Sequence, residues 1–239
     1  MRILALSDAV KWEEPQFLVV DKVKPDITIL AGDLSWDGFT PFYYSDKGIK
    51  SESTQKRIHA ERFYSFLKHA GKKAPVLVVK GNHDEEGDYS RERIDGIARC
   101  REISGKFVEV EGLRFLGFGF NDAHSVKVIR SMVSEFSGKV DVVVMHGENI
   151  RLISSLKPGI IVKGGGVFGK FLVNDVASVY IGPDVYAVID LREKTADHIY
   201  LFNFKGKSIT KFIPLYRRYK WIKPYPTLNQ YFIGKNCQS

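Results

Sequence analysis

Side chains that can bind a divalent metal or transfer a proton directly follow four apolar segments of the chain. These residues are Asp8, Asp33, Asn82, His83, Asp84 and His146. Carboxylate, amide and imidazole groups are ligands that Mn²⁺, Fe²⁺ or Zn²⁺ accept, and a carboxylate such as Asp33 can bridge two metal ions ~3.5 to 4 Å apart. If the four loops meet, this set of residues suits a metal-assisted hydrolase.

Taken singly, each of these residues has a plainer interpretation. An Asp after a strand often caps the next helix, and a Gly-Asn-His-Asp run such as residues 81–84 can be only a turn. The functional interpretation therefore depends on the elements that would bring the four loops together.

The first eighty residues alternate between predicted strands and predicted helices. In chain order these are strand 2–7, helix 15–23, strand 26–31, helix 53–70 and strand 75–80. Gly71 is placed to end the second helix. This order implies a parallel sheet with helices on its faces, and such sheets put their binding sites beyond the carboxyl ends of the strands.

The second half of the chain is richer in short β-branched and aromatic runs separated by Gly, Pro or Asp. The predicted strands are 106–110, 113–120, 140–145, 160–163, 176–181, 185–191 and 198–204. They indicate a second sheet, mixed or antiparallel. We therefore predict an α/β fold in which two packed mixed β-sheets are flanked by helices.

The order of the motifs resembles that of the calcineurin-like metallophosphoesterase superfamily. That family has Asp-x-His after its first strand, Gly-Asp after the second, Gly-Asn-His-Asp/Glu after the third, then a His and finally Gly-His-x-His. Here Gly32-Asp33 and the run 81–84 match without change, and His146 stands where the family has its later His. The resemblance extends from Asp8 to about Leu191 and implies the sandwich fold of that family.

The chain departs from the family at three metal-ligating histidines. Val10 stands in place of the first, and Gly165 and Val167 stand in place of the last two. By the resemblance, one metal would keep only Asp8 and Asp33 as ligands. The second would keep three ligands, Asp33, Asn82 and His146, which is a common number for a catalytic metal.

The resemblance also implies roles for the two residues after Asn82. His83 would stabilise the transferring phosphoryl group or protonate the leaving oxygen, and Asp84 would hold its imidazole in orientation. The implied activity is hydrolysis of a phosphomonoester or phosphodiester, with a nucleotide among the candidate substrates, and it would use one divalent ion (Mn, Fe, Ni or Zn). Because the loss of one metal removes charge stabilisation, we expect this activity to be weak.

Three other features are candidates for function. His124 comes after a predicted strand, but a loop His is more often simply solvated. The run Gly164–Gly166 could bind phosphate through backbone N–H groups or could be a tight turn, and residues 167–173 look more like strand than helix. The long aromatic connection 35–51 comes after the Asp33 loop, and it suits either a lid that stacks on a nucleobase or aryl ester, or a segment packed on the sheet.

Charge and composition divide the chain at residue 204. The whole net charge of +8 lies in residues 205–239, which have eight basic and no acidic side chains, interleaved with aromatics. This extension could bind nucleic acid, or it could pack as a solvated arm on a metallophosphoesterase-like domain of residues 1–204, which we consider the simpler interpretation. We find no targeting segment and no apolar run long enough to span a bilayer, and so expect a cytoplasmic protein that does not bind membranes.

Two functions remain open from the sequence. The first is a metal-dependent phosphoesterase with an incomplete site, favoured by the joint presence of Asp33, Asn82, His83 and His146. The second is a catalytically inactive protein of the same fold that binds a protein or nucleic-acid partner, favoured by the three missing histidines. The sequence does not indicate an oligomeric state.

Overall fold

The computed structural model describes residues 1–9, 12–34, 46–49, 51–85, 89–165, 169–183 and 185–204. Most of the predicted aromatic lid (residues 35–45 and 50), two of the three departures from the family (Val10 and Val167) and the basic extension 205–239 lie outside these ranges. The division of the chain at residue 204 therefore stays a prediction.

The first sheet contains six strands and is built around the predicted parallel segments. Its order is β12-β11-β1-β2-β3-β4, with bounds β1 Arg2–Leu6, β2 Ile27–Ala31, β3 Val76–Val79, β4 Cys100–Glu102, β11 Val185–Arg192 and β12 Thr195–Asn203. Strands β1 to β4 run parallel, whereas β11 pairs antiparallel with β1 and with β12. The predicted β-α-β-α-β order is confirmed.

The second sheet also contains six strands and is mixed, as predicted. Its order is β5-β6-β7-β8-β10-β9, with bounds β5 Phe107–Val110, β6 Leu113–Phe118, β7 Val142–His146, β8 Ile160–Gly164, β9 Gly169–Val173 and β10 Val176–Ile181. Strands β6, β7, β8 and β10 are parallel, and each outer strand is antiparallel to its neighbour.

Helices cover the outer faces of both sheets. Helices α1 (Glu14–Val23) and α2 (Glu52–Lys73) lie against the first sheet. Helices α4 (Phe120–His124), α5 (Val126–Phe136) and α6 (Ile150–Ile153) lie against the second. The short helix α3 (Arg91–Asp95) precedes β4. Of the helices in the described ranges, none is long and apolar enough to cross a bilayer.

The main core lies between the two sheets. Because successive side chains of a strand alternate in direction, Ile3 and Ile29 of the first sheet face Val144 and Val162 of the second, all without solvent exposure. The other face of the first sheet packs on Phe63 and Phe66 of α2. The four layers thus form the predicted sandwich, with the carboxyl ends of β1, β2, β3, β7 and β8 on one side.

Two local predictions were wrong. Gly71 lies inside α2, which continues to Lys73, and does not end the helix. A Cβ at residue 71 would come within 2.6 Å of the Ala98 carbonyl oxygen and 3.1 Å of Cys100 Sγ. The glycine therefore permits close packing of the helix against the chain before β4. The strands predicted at 185–191 and 198–204 belong to the first sheet, where β11 covers the free side of β1.

Candidate metal-binding and catalytic site

The residues predicted to form the site lie together at the carboxyl ends of β1, β2, β3 and β7. The parallel strands bring Asp8, Asp33 and His146 to one buried location, each less than 7% exposed. Asn82 and His83 are half-buried at its edge. The convergence expected from the strand order is present.

His146 is the centre of this arrangement. Its Nδ1 lies 2.8 Å from the carbonyl oxygen of Ala31. A carbonyl accepts only, so Nδ1 carries the hydrogen and Nε2 faces the site. Nε2 lies 3.2 Å from Oδ1 of Asn82 and 3.3 Å from Oδ2 of Asp33. Three atoms of metal-ligating type therefore converge.

Asp33 and His146 shift each other's protonation. Burial alone would raise the pKa of Asp33, but its hydrogen bond with His146 and the charge of that ring outweigh burial and hold the pKa below its ordinary value. Burial likewise would lower the pKa of His146, but Asp33 raises it above the ordinary value. Without a metal, both shifts favour an ion pair between the two side chains, in which a hydrogen on Nε2 would lie between Asp33 and Asn82.

The same geometry suits one divalent metal in place of that hydrogen. Ligands ~2.0 to 2.1 Å from a common ion are separated from one another by about 3.0 to 3.4 Å, the range of the distances from Nε2 to its two oxygen neighbours. Within the described ranges, His, Cys, Asp and Glu side chains do not gather in groups of three or more that could hold a metal. A site here therefore depends on the amide oxygen of Asn82.

Asp8 is held mainly by hydrogen bonds from its neighbours. Its Oδ2 accepts a hydrogen bond of 2.6 Å from Ser7 Oγ and one of 2.9 Å from the backbone N–H of Gly165. Burial raises the pKa of Asp8, and the charge of His146 together with these two hydrogen bonds opposes that shift. The carboxylate thus joins the end of β1 to the loop after β8.

Gly165 lies where the family has a histidine, and its surroundings agree with that position. A Cβ there would lie 3.8 Å from His146 Nε2, so a side chain would project beside the site. The residue has a φ of +113°, in the region that favours glycine. Gly164 is more tightly enclosed, since a Cβ would lie 1.9 Å from the Ala31 carbonyl oxygen.

His83 is fixed through its backbone. Its N–H donates a hydrogen bond of 3.0 Å to Oδ1 of Asp33. Its Nδ1 is buried and has no hydrogen-bond partner within the described residues. A buried ring nitrogen without a partner needs an explanation, and a catalytic role is one of those that apply.

Asp84 supports the loop after β2. The carboxylate is 1% exposed and accepts hydrogen bonds from three backbone N–H groups: those of Gly81 at 2.7 Å, Asp33 at 3.0 Å and Leu34 at 2.6 Å. These three hydrogen bonds fix the backbone that carries Asp33. The predicted orientation of the His83 imidazole by Asp84 stays a prediction.

The remaining candidates take other positions. His124 Nδ1 lies 2.9 Å from the Phe120 carbonyl oxygen within α4. The His124 ring lies against Gly147, where an added Cβ would be 3.0 Å from its Cε1 atom. Lys163, at the end of β8, was not among the predicted site residues, although its Nζ lies beside Gly165. The signal in the sequence that could have identified Lys163 is its position directly before the run Gly164–Gly166.

Comparisons with known proteins agree with this architecture. The profile of a family described as calcineurin-like phosphoesterase matches residues 1–202. The solved structure of TT1561 of Thermus thermophilus has a TM-score of 0.59 at 14% identity, covering 85% of this chain and 98% of that one. A dimetal phosphatase from Danio rerio has a TM-score of 0.53 at 10% identity, covering 89% and 98%. Curated protein sequences gave no match. At these identities the structural likeness shows the fold.

Proposed function

The chain belongs to the calcineurin-like phosphoesterase family, and from that premise we propose that it hydrolyses phosphate esters at a site that holds one divalent metal. The metal ligands would be Asp33, Asn82 and His146. The observation that supports this is the approach of His146 Nε2 to two oxygen atoms while its Nδ1 is held by Ala31. A backbone partner on the other ring nitrogen is the usual arrangement for a metal-binding histidine.

The identity of the ligands favours a borderline metal. One imidazole, one carboxylate and one amide oxygen suit Mn²⁺, Fe²⁺, Ni²⁺ or Zn²⁺, and the family usually uses divalent metals. When bound, such an ion would polarise a phosphoryl oxygen and activate water at neutral pH. The dimetal phosphatase from Danio rerio shares the fold and is named for two metals; here Val10, Gly165 and Val167 lack the side chains that a second metal would need.

His83 is the residue we assign as the acid. Hydrolysis forms a bond from water oxygen to phosphorus and breaks the ester P–O bond, and the leaving oxygen then needs a proton. The Nδ1 of His83 is buried without a partner among the described residues, and its backbone is tied to Asp33. The backbone of His83 is thus held beside Asp33, a proposed metal ligand, and we infer that the ring reaches the leaving oxygen when substrate is bound.

The substrate we propose is a phosphomonoester or a phosphodiester, with a nucleotide among the candidates. Asp8 would assist by shaping the site through its hydrogen bond to Gly165 rather than through metal binding. Since one metal supplies less charge than two, activated esters with good leaving groups should be the better substrates.

One observation favours the alternative, an inactive protein of this fold that binds a protein or nucleic acid. Asp8, a ligand in the family pattern, accepts hydrogen bonds from Ser7 and Gly165 instead. A carboxylate that is hydrogen-bonded to protein groups is what we expect at a metal site that has lost its function. The basic extension that could contact nucleic acid lies outside the described residues.

The experiment that separates the two functions is hydrolysis of p-nitrophenyl phosphate and bis-p-nitrophenyl phosphate with added Mn²⁺ or Ni²⁺. The wild-type protein is compared with His83→Ala and Asn82→Ala. We expect metal-dependent turnover in the wild type that Asn82→Ala abolishes and His83→Ala strongly lowers. No turnover with any metal, together with no retained metal, would reject the phosphoesterase and support the binding protein.

A further inference from the structure

The loop after β8 brings an ammonium group to the position of a missing family histidine. A Cβ on Gly165 would lie 3.6 Å from Nζ of Lys163 and 3.8 Å from Nε2 of His146. The two nitrogens thus border the same small space. A side chain at residue 165 would have filled that space, whereas glycine leaves it open to a ligand.

The fold holds Lys163 in this position from two sides. Lys163 pairs with Met145 of β7 and with Tyr180 of β10 in the parallel register. Its Nζ donates a hydrogen bond of 3.2 Å to the Gly164 carbonyl and lies 4.9 Å from the centre of the Tyr180 ring. The side chain is half-buried, so its position is more restricted than that of an exposed lysine.

The hydrogen-bonding capacity of this ammonium is only partly used. A lysine ammonium has three N–H donors, and within the described ranges the hydrogen bond found goes to Gly164. The other two donors have no partner among the residues that the structure describes, and we expect them to serve an anionic ligand. A cation–π contact with Tyr180 does not consume them, because the ring acts on the charge as a whole.

The surrounding charges also favour a retained cation. Burial holds the pKa of Lys163 below its ordinary value, and the negative charges of Asp8 and Glu148 offset part of that shift. Asp8 is in turn hydrogen-bonded to Gly165, which ties this carboxylate to the loop that begins after Lys163. A phosphate ester adds further negative charge at this point, and a second metal to neutralise it would lack the ligands absent at residues 10, 165 and 167.

We propose that Lys163 binds a non-bridging phosphoryl oxygen of the substrate and supplies there part of the positive charge that a second metal would otherwise provide. The inference rests on the proposed function, and it names a further substrate-binding residue of the same site. The ammonium would act as a point charge with hydrogen-bond donors, as lysines do in other phosphate sites.

The test is calorimetric binding of inorganic phosphate to the Mn²⁺-loaded full-length protein and to its variants. We expect Lys163→Met to weaken phosphate binding about 10- to 100-fold, the effect of losing one charge-assisted hydrogen bond. Lys163→Arg should keep affinity near that of the wild type. Metal content should not change in either variant, since Lys163 is not proposed as a ligand.

Lys170→Met is the matched control. Lys170 is also half-buried and donates to a backbone carbonyl, that of Ile199 at 2.8 Å, and it lies on β9 of the same sheet, with β10 between β9 and β8. Its removal should leave phosphate affinity unchanged. Thermal melts of all variants check folding, and Lys163→Gln replaces Lys163→Met if the latter does not fold.

The outcomes separate this inference from the proposed function. Phosphate affinity that is equal in Lys163→Met and wild type, or no phosphate binding by the wild type, overturns the inference even if esters are hydrolysed. Lys163-dependent phosphate binding in a protein that hydrolyses no ester supports phosphoryl binding by Lys163 and rejects the phosphoesterase.

Discussion

The backbone N–H of Gly165 donates a hydrogen bond of 2.9 Å to Oδ2 of Asp8, joining residues 157 positions apart at the ends of β8 and β1. In the family pattern these two positions hold an aspartate and a histidine that bind metal. Here a direct contact between protein groups satisfies the carboxylate. The loss of the histidine is thus accompanied by a local structure that does not need a first metal.

The two glycines of this loop should respond differently to the same substitution. Gly164→Ala places a Cβ 1.9 Å from the Ala31 carbonyl oxygen, so the backbone must shift. For Gly165→Ala, the nearest atom that the new Cβ would meet among the described residues is Lys163 Nζ at 3.6 Å, so the main cost there is the φ of +113°. We expect a loss of unfolding free energy of about 1 to 3 kcal/mol at residue 165 and a larger one at residue 164. Urea unfolding of both variants measures this; equal losses would contradict it.

His83→Ala should lower turnover without lowering metal affinity. The hydrogen bond to Asp33 comes from the backbone N–H of residue 83, which alanine retains. Only the imidazole is removed, and loss of a general acid typically costs about 10²- to 10⁴-fold in rate. The effect on kcat should be larger for phenyl phosphate than for p-nitrophenyl phosphate, because the poorer leaving group depends more on protonation. An equal effect on both esters would argue against the acid role.

Asp84→Asn should destabilise the protein even without substrate. The amide offers one oxygen where the carboxylate serves three N–H groups, and its NH₂ group then faces backbone donors. We expect a loss of about 2 to 4 kcal/mol in unfolding free energy. Asp190→Asn is the control. Asp190 forms an exposed ion pair with Arg2, with 2.9 Å between the two atoms, so the substitution should lower the unfolding free energy by less than about 1 kcal/mol. Similar losses in the two variants would contradict the structural role of Asp84.

His59 should make stability depend on pH. Burial in α2 lowers its pKa from 6.5 to about 4, and its Nε2 donates to the Leu34 carbonyl at 3.2 Å, next to Asp33. The folded state disfavours the charged ring, whereas the unfolded chain accepts the proton near pH 6.5. The contribution of neutral His59 to the unfolding free energy is therefore complete above about pH 6.5 and is lost as the pH falls toward 4. The total is about 3 kcal/mol. Urea unfolding from pH 7 to 4 should show this decline in the wild type and a smaller one in His59→Gln; parallel curves would contradict it.

The convergence of the site could be predicted because it derives from topology. Strands β1, β2 and β3 are short apolar runs separated by helices, and parallel strands place the residues after them at one edge. The position of His146 derives in the same way from β7. These features depend on local pattern and on a general rule of chain connection.

Other features depend on contacts between distant segments, which periodicity does not contain. Gly71 looks like a helix end until the chain at Ala98 is packed against it. The strand Val185–Arg192 gives no sign of whether it will join the first sheet or the second. Likewise, the hydrogen bonds of Asp84 and the approach of Lys163 to Gly165 involve backbone positions fixed only by the fold.

The most direct test of the central claim is the number of metal ions bound per chain. The protein is dialysed against Mn²⁺ or Zn²⁺ and its metal content is measured by mass spectrometry, beside Asn82→Ala and Asp8→Asn. A single-metal site predicts one ion per chain in the wild type, none in Asn82→Ala, and one in Asp8→Asn. Two ions in the wild type, or a single ion that Asp8→Asn removes and Asn82→Ala retains, would contradict the account.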